Sequence, residues 1–204
     1  MAFIDSTYFT GEIFIPNASS DTKLTAAITQ YEKEILMKLL GYPLYKALQA
    51  DLVLGEPQTQ KYIDLVDGKE FTHTFDGVEY TLKWEGLRNS GKLSLIAYYV
   101  YHEYVRRDIT RMYEGAGIAT PKAGEGWDRV SPVNKLCTVW EKMRELYGRI
   151  APEYKGLYPY PTRVADIEDV YNADPSAFNF LYANRTTYTE WVFTPLWNQN
   201  AFGI

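Results

Sequence analysis

The chain has 204 residues, of which 46% are hydrophobic and 23% are charged, and its formal net charge is −5 at pH 7. This composition is typical of a globular protein with a sizeable core, and it excludes a chain that is disordered throughout. The negative charge excludes broad electrostatic attraction to DNA or to an anionic membrane, although a local basic patch is compatible with it.

Residues 1–20 are predicted to form an extended N-terminal arm, because their apolar residues lack helical spacing. The arm has neither the basic region nor the apolar core of a secretory signal, so we expect a soluble protein that is intracellular when made. We expect the aromatic side chains of the arm to contact a partner, because a segment without its own core can gain order by wrapping one. These residues are Phe3, Tyr8, Phe9 and Phe14.

A helix is predicted from residue 22 to residue 40. Ser20 or Asp21 can cap its N-terminus, and its apolar residues recur at steps of four and three, which places them on one face. The members of this stripe are Leu24, Ile28, Tyr31, Ile35 and Leu39. Gly41 is predicted to end the helix, and Pro43 to begin a short second one.

A third helix is predicted at 58–66 and a β-hairpin at 71–84. Both strands of the hairpin alternate apolar and polar residues, and Asp76-Gly77 supplies a two-residue turn between them. The hairpin is predicted to be a small insertion in a helical protein.

A long helix is predicted at 90–112, with Asn89 or Ser90 as its cap. It is apolar on nearly every face, so it must be covered on all sides by its own domain or by neighbouring subunits. Its last turns carry a cluster of cations. These are Arg106, Arg107 and Arg111. Cations at this position suit the helix dipole, and the alternative is a surface that faces phosphate or a DNA channel.

Residues 114–130 are rich in glycine and are predicted to form a flexible loop. The last strong helix is predicted at 131–150, where Ser131-Pro132 forms its start and the apolar residues form one seam. Residues 152–204 are predicted to form an extended aromatic C-terminal arm with a weak helix at 175–182. We expect four aromatic residues of this arm to contact a partner. They are Trp191, Phe193, Trp197 and Phe202.

No catalytic, cofactor or metal site is predicted. A zinc helix built on His102 would need a second histidine at position 106, which is an arginine, so His73 and His102 are interpreted as structural. The only cysteine, Cys137, excludes an internal disulfide framework and is interpreted as a small hydrophobic residue of its helix. The glycine pairs of the 114–130 loop fit neither common nucleotide-binding pattern. We therefore predict that the chain is not an enzyme.

An acidic segment follows the last strong helix. Its residues are Asp166, Glu168, Asp169 and Asp174. They are interpreted as a solvated acidic surface or as one that meets a basic partner, and the alternative is a Mg²⁺ site of a small nuclease or hydrolase. The apolar run at 93–105 is too short to span a bilayer, so no membrane association is predicted.

Four stretches of the chain resemble the head–tail connector or adaptor proteins of the neck of tailed bacteriophages, particularly those of phages of Bacteroidetes. They are ILMKLLGYPLY at 35–45, WEGL at 84–87, LIAYYVY at 95–101 and VSPVNK at 130–135. The resemblance covers approximately residues 30–150 and leaves both predicted arms outside it. It implies a mainly helical subunit that forms a ring, commonly a dodecamer, beneath the portal.

The resemblance also implies partners and a location. The partners would be further copies of the chain, the portal protein, and tail or other neck proteins, while DNA passes through the ring without specific binding. The location would be the head–tail interface of the virion, and the host cytoplasm during assembly. The family has no catalytic residues, and none of its contact residues is transferred to this chain.

The predicted fold is therefore mainly α, a bundle of four to five helices with a small β-hairpin insertion and extended N- and C-terminal arms. The predicted units are the arm at 1–20, the helical domain at 21–151 and the arm at 152–204. An aromatic content of 16% suits either an aromatic core or an interface between subunits. The alternatives are a tail-completion or tail-terminator protein, a small metal-dependent enzyme, and a DNA-binding regulator that uses the three arginines.

Overall fold

The structure, a computed structural model, describes residues 2–75, 77–109, 111–113, 117–119, 133–148 and 174–196. Within these ranges the chain is mainly helical, as predicted. The helices are α1 (Thr22–Asp51), α2 (Gln60–Asp67), α3 (Leu95–Ile109), α4 (Val133–Tyr147) and α5 (Ala177–Ala183). Each corresponds to a predicted helix, and α1 joins the first two. The predicted start of the long helix is wrong: α3 begins at Leu95 rather than after a cap at Asn89 or Ser90, because residues 89–94 are not helical.

Three two-stranded antiparallel sheets lie within the described residues. Their strands are β1 (Leu52–Val53) with β2 (Glu56–Pro57), β3 (Lys69–Phe75) with β4 (Val78–Trp84), and β5 (Arg111–Tyr113) with β6 (Gly117–Ala119). Phe75 pairs with Val78, which leaves positions 76 and 77 as the connection and confirms the predicted hairpin. The other two sheets were not predicted, because strands of two or three residues carry no readable alternation. β6 falls in the predicted 114–130 loop, and the rest of that loop lies outside the described residues.

The first part of α1 has the predicted apolar stripe, and every residue of that stripe is buried. The Asp21 carboxylate caps the helix by accepting hydrogen bonds from the N–H groups of Lys23 (2.9 Å) and Leu24 (3.2 Å). Gly41, with φ of 72°, interrupts the helical backbone, and helical structure then resumes. The predicted break is therefore confirmed.

The break at Gly41 leaves the last carbonyl groups of the preceding helical turn without helical donors. The C-terminal segment supplies these donors. Trp191 Nε1 donates to the Leu39 carbonyl (2.7 Å), and the Val192 N–H donates to the Leu40 carbonyl (3.2 Å). The Thr194 N–H donates to the Lys38 carbonyl (3.0 Å). Residues 191–194 thus close the end of a helix that lies far away in sequence.

The centre of the core is the N-terminal half of α3, where residues 95–101 are all buried. α3 packs against α1 and α4 and against the 3₁₀ turn Gly11–Ile13. The Tyr99 hydroxyl donates to Glu34 of α1 (2.6 Å), and burial raises the pKa of this phenol. The sequence allows this helix to be covered by its own domain or by neighbouring subunits. Over residues 95–101 the cover comes from its own chain.

Both predicted arms differ from the structure where it describes them. Residues 2–20, which we call the strap, form three 3₁₀ turns packed on the core, and Phe3, Tyr8 and Phe9 are buried there, whereas Phe14 is 57% exposed. Trp191 is also buried, and Phe193 is partly buried. The strap is buried because α3 has apolar side chains on nearly every face and part of the strap packs against it. Trp191 is buried where it closes the break in α1. That these residues contact a partner stays a prediction; Trp197 and Phe202 lie outside the described residues.

Candidate assembly surface

The hairpin of β1 and β2 carries an unusual turn at the end of α1. Leu52 pairs with Pro57 and Val53 with Glu56, so Leu54 and Gly55 form a two-residue connection. Both have positive φ, 50° for Leu54 and 87° for Gly55. Asn-Gly is the usual choice at such a turn, because both positions need positive φ and Gly and Asn adopt it more readily than other residues. Leucine at this position costs about 1–2 kcal/mol.

The side chains at this turn are apolar and project into solvent. Leu54 is 92% exposed and Val53 is 57% exposed. We call these two residues the knob. The knob contributes almost nothing to the core, and leucine at its tip strains the backbone. A strained backbone that carries an exposed apolar side chain motivates a hypothesis of function.

The base of the knob is held by hydrogen bonds to charged groups. The Asp51 carboxylate accepts from the N–H groups of Gln58 (2.8 Å) and Thr59 (2.9 Å). Arg88 donates to Glu56 (2.9 Å from Nη1) and to Asp67 (2.7 Å from Nε), which ties β2 to the end of α2. Hydrogen bonds to Glu56 and Asp67 raise the pKa of the Arg88 guanidinium above its usual range. The knob is therefore a fixed projection.

A row of exposed residues leads along α1 to the knob. Tyr42, Lys46 and Ala50 are exposed at intervals of four, which places them on one face of the helix. Tyr42 is 61% exposed and lies next to Gly41, against which Val192 packs. From Tyr42 to Ala50 this face of the helix is about 12 Å long. We call Tyr42, Lys46, Ala50 and the knob the exposed row.

A buried carboxylate lies in the first part of α1, far from the knob in sequence. Glu32 accepts hydrogen bonds from the N–H groups of Phe3 (2.9 Å) and Ile4 (3.2 Å). Burial raises the pKa of Glu32 to about 7, and the two N–H groups act in the opposite direction. Within the described residues this carboxylate serves as an anchor for the start of the strap. Sequence patterns did not reveal it, because its partners are backbone groups nearly thirty positions away.

The predicted arginine cluster is partly described. Arg106 pairs with Glu103 (2.6 Å), and the Arg107 guanidinium lies 5.0 Å from the centre of the Tyr31 ring. Arg111 belongs to β5, and nothing is described of its side chain. Arg106 and Arg107 thus engage groups of their own chain, and whether the cluster faces phosphate stays a prediction.

Both histidines are buried. His102 Nδ1 lies 3.1 Å from Glu103, and the His102 ring lies 4.8 Å from the Trp140 ring at the contact of α3 with α4. His73 lies on β3, where burial lowers its pKa.

Other sequence-predicted sites are only partly covered by the structure. Across the described ranges no group of three or more His, Cys, Asp and Glu side chains is arranged to hold a metal ion. Positions 166, 168 and 169 of the acidic segment lie outside those ranges, whereas Asp174 lies within them. No helix in the described part of the chain is long and apolar enough to cross a membrane.

The knob was missed by sequence reasoning, although a signal was present. Val53-Leu54 is an apolar pair directly before Gly55, a residue that favours a turn. Comparison of the chain with protein-family models, with curated proteins and with solved structures gives no match.

Proposed function

We propose that the chain is a structural subunit of a tailed bacteriophage, a head–tail connector that forms a ring, docks on the portal and links the capsid to the tail around the DNA channel. The observation that carries the proposal is the knob, an exposed apolar pair kept at a turn where leucine strains the backbone. The resemblance of residues 30–150 to connector proteins gives the kind of assembly. The knob is the contact through which we expect each copy to engage its neighbour.

A ring requires two different surfaces on each subunit that complement one another head to tail. The exposed row resembles one of these two surfaces, because it has aromatic and aliphatic groups at its ends and a single lysine between them. Because hydrogen bonds fix the base of the knob, little conformational entropy is lost when it is buried at an interface. The chain's negative charge suits a channel that must release DNA.

The test is the mass of the purified protein by light scattering across a concentration series, alone and with the portal protein of the same phage. A closed ring, or recruitment by the portal, is the expected result. A ring that ignores the portal would favour another neck or tail-completion protein instead. A strict monomer in both conditions contradicts the proposal.

Leu54→Asn should separate assembly from folding. We expect assembly to weaken at least about tenfold, since burial of a leucine side chain contributes about 1.5–3 kcal/mol. The free energy of unfolding of the monomer should stay equal or rise by up to about 1 kcal/mol, because Asn tolerates positive φ. Light scattering and urea unfolding measure the two effects.

Leu54→Met is the matched control for this variant, because it keeps an apolar side chain at the same position. It should assemble like the original chain. Equal assembly of the Asn and Met variants would show that the knob is not a contact.

A further inference from the structure

The strap is joined to the rest of the chain through side chains. Six of its apolar residues are buried in the core: Phe3, Ile4, Tyr8, Phe9, Ile13 and Ile15. Its backbone-to-backbone hydrogen bonds, so far as the described residues show them, are local ones such as Tyr8 N–H to the Asp5 carbonyl (3.2 Å) and Ile13 N–H to the Thr10 carbonyl (3.2 Å). The strap is therefore seated like a bound peptide rather than paired into a sheet.

Polar contacts hold the strap in place at several points along its length. Glu32 holds the N–H groups of Phe3 and Ile4, as described above. The Asn89 N–H donates to the Tyr8 hydroxyl (3.3 Å), and the Tyr98 hydroxyl donates to Glu12. Near the middle of the strap, Lys92 donates to the Thr7 hydroxyl. Each of these contacts joins the strap to a residue outside it, so the strap of another copy would find the same partners in place.

The strap contains a hinge at Pro16 and Asn17, shortly before α1 begins. Asn17 has φ of 56°, in the left-handed region, and is exposed. Its side chain makes no capping hydrogen bond, while its carbonyl accepts from the Ser20 N–H (3.0 Å) and the Ser20 hydroxyl (3.1 Å). If Asn17 became extended and the 3₁₀ turn at 18–20 unwound, residues 16–20 could reach about 17 Å from the start of α1.

We propose that in the assembled ring the strap of each copy occupies the groove of a neighbouring copy, after the chain straightens at the Pro16-Asn17 hinge. This inference rests on the proposed assembly. The buried contacts of residues 3–15 are the same in either arrangement, so exchange changes only the connection at residues 16–20 and the copy that supplies the strap, which makes it a low-cost route to an assembly. Phe3, Tyr8 and Phe9 would then contact a partner after all, while retaining the burial that the structure shows.

Substitution at the hinge shifts the balance between the two arrangements. Asn17→Val disfavours the left-handed conformation of the closed strap, because β-branched residues do not tolerate positive φ. We expect about a fivefold larger fraction of multimer at equal protein concentration, measured by sedimentation velocity. Asn17→Gly tolerates the closed hinge and is the matched control, expected to match the original chain. Equal multimer fractions in the two variants would overturn the proposal.

Cross-linking identifies which copy supplies the strap. The double variant Thr7→Cys with Lys92→Cys, in a Cys137→Ser background, places one thiol on the strap and one on the groove. A short bismaleimide is applied to the assembled fraction, and denaturing gels separate the products. A covalent ladder of several chains is expected, because each cross-link then joins two copies. The Thr7→Cys variant alone should give no ladder.

The other outcomes distinguish the two hypotheses. Assembled protein that gives only cross-linked monomers overturns strap exchange and leaves the ring intact. Assembled protein that gives neither product also overturns it, because the strap has then left both grooves. A chain that remains monomeric at every concentration, with and without the portal, overturns both the exchange and the proposed function.

Discussion

Gly41→Ala is expected to lower the free energy of unfolding by about 4 kcal/mol, which corresponds to a fall in Tm of about 10 °C. Two effects combine. An alanine with φ near 72° and ψ near 159° is strained, because this region is essentially confined to glycine, and its Cβ would lie 2.7 Å from both the carbonyl oxygen and the Cβ of Val192. To relieve the overlap the C-terminal segment must move, which breaks its hydrogen bonds to the carbonyls of Lys38, Leu39 and Leu40. Thermal unfolding followed by circular dichroism measures the change.

Gly77→Ala provides the control for this variant. Gly77 has nearly the same φ, 71°, but an added Cβ would meet no atom within 4 Å. Alanine there should cost only the backbone term, about 1 kcal/mol. Equal losses of stability in the two variants would show that the close approach of residue 192 is not the reason for glycine at position 41.

Glu32→Leu is expected to destabilise the chain by about 2–4 kcal/mol at pH 5. The substitution leaves the N–H groups of Phe3 and Ile4 buried without an acceptor, and each such loss costs about 1–3 kcal/mol. Release of the strap should accompany the loss of stability, and protease cleavage within residues 2–20 should therefore become faster. Glu32→Gln keeps an acceptor and a similar volume, so it should protect the strap better than leucine does.

The same residue gives the stability a defined pH dependence. Burial raises the pKa of Glu32 from 4.5 to about 7, so the folded chain binds a proton that the unfolded chain has released. This contribution is fully present below pH 4.5 and is lost as the pH rises through about 7. It amounts to about 3 kcal/mol, at about 1.4 kcal/mol for each pH unit between the two pKa values.

The measurement is the difference in unfolding free energy between the original chain and Glu32→Gln at pH 5 and at pH 8. The original chain should lose about 3 kcal/mol relative to the variant over this interval. The difference cancels the titration of groups that the two chains share, including Asp21, whose pKa is lowered mainly by its hydrogen bond from Tyr104. A constant difference between pH 5 and pH 8 would mean that Glu32 stays ionised in the folded chain throughout.

Three features of the fold could be predicted because each is encoded by neighbouring residues. The stripe that includes Leu24 and Leu39 follows from helical period, and the Asp21 cap follows from an acceptor side chain just before that stripe. Gly41 followed by Pro43 predicts the break in α1, and Asp76-Gly77 between alternating residues predicts the hairpin. In each case the physical cause acts over only a few positions of the chain.

The features that bear on function depend on contacts between distant parts of the chain. Trp191 was predicted to lie on a free arm, yet it caps a carbonyl that the break at Gly41 exposes about 150 positions earlier. Glu32 acquires its pKa only when the strap folds over it. Leu54 became a candidate contact only when tertiary structure left it exposed, whereas Leu48 is buried.

Sequence by itself therefore determined where the helices and the β3–β4 hairpin form, because local periodicity, capping and turn chemistry fix them before any packing occurs. Tertiary structure alone decided that the strap and residue 191 are buried and that the knob is exposed. Burial depends on which surfaces meet, and a segment without period gives no sign of the surface that it covers. Apolar side chains in such a segment suit a core and a partner contact equally well, so the sequence does not distinguish the two.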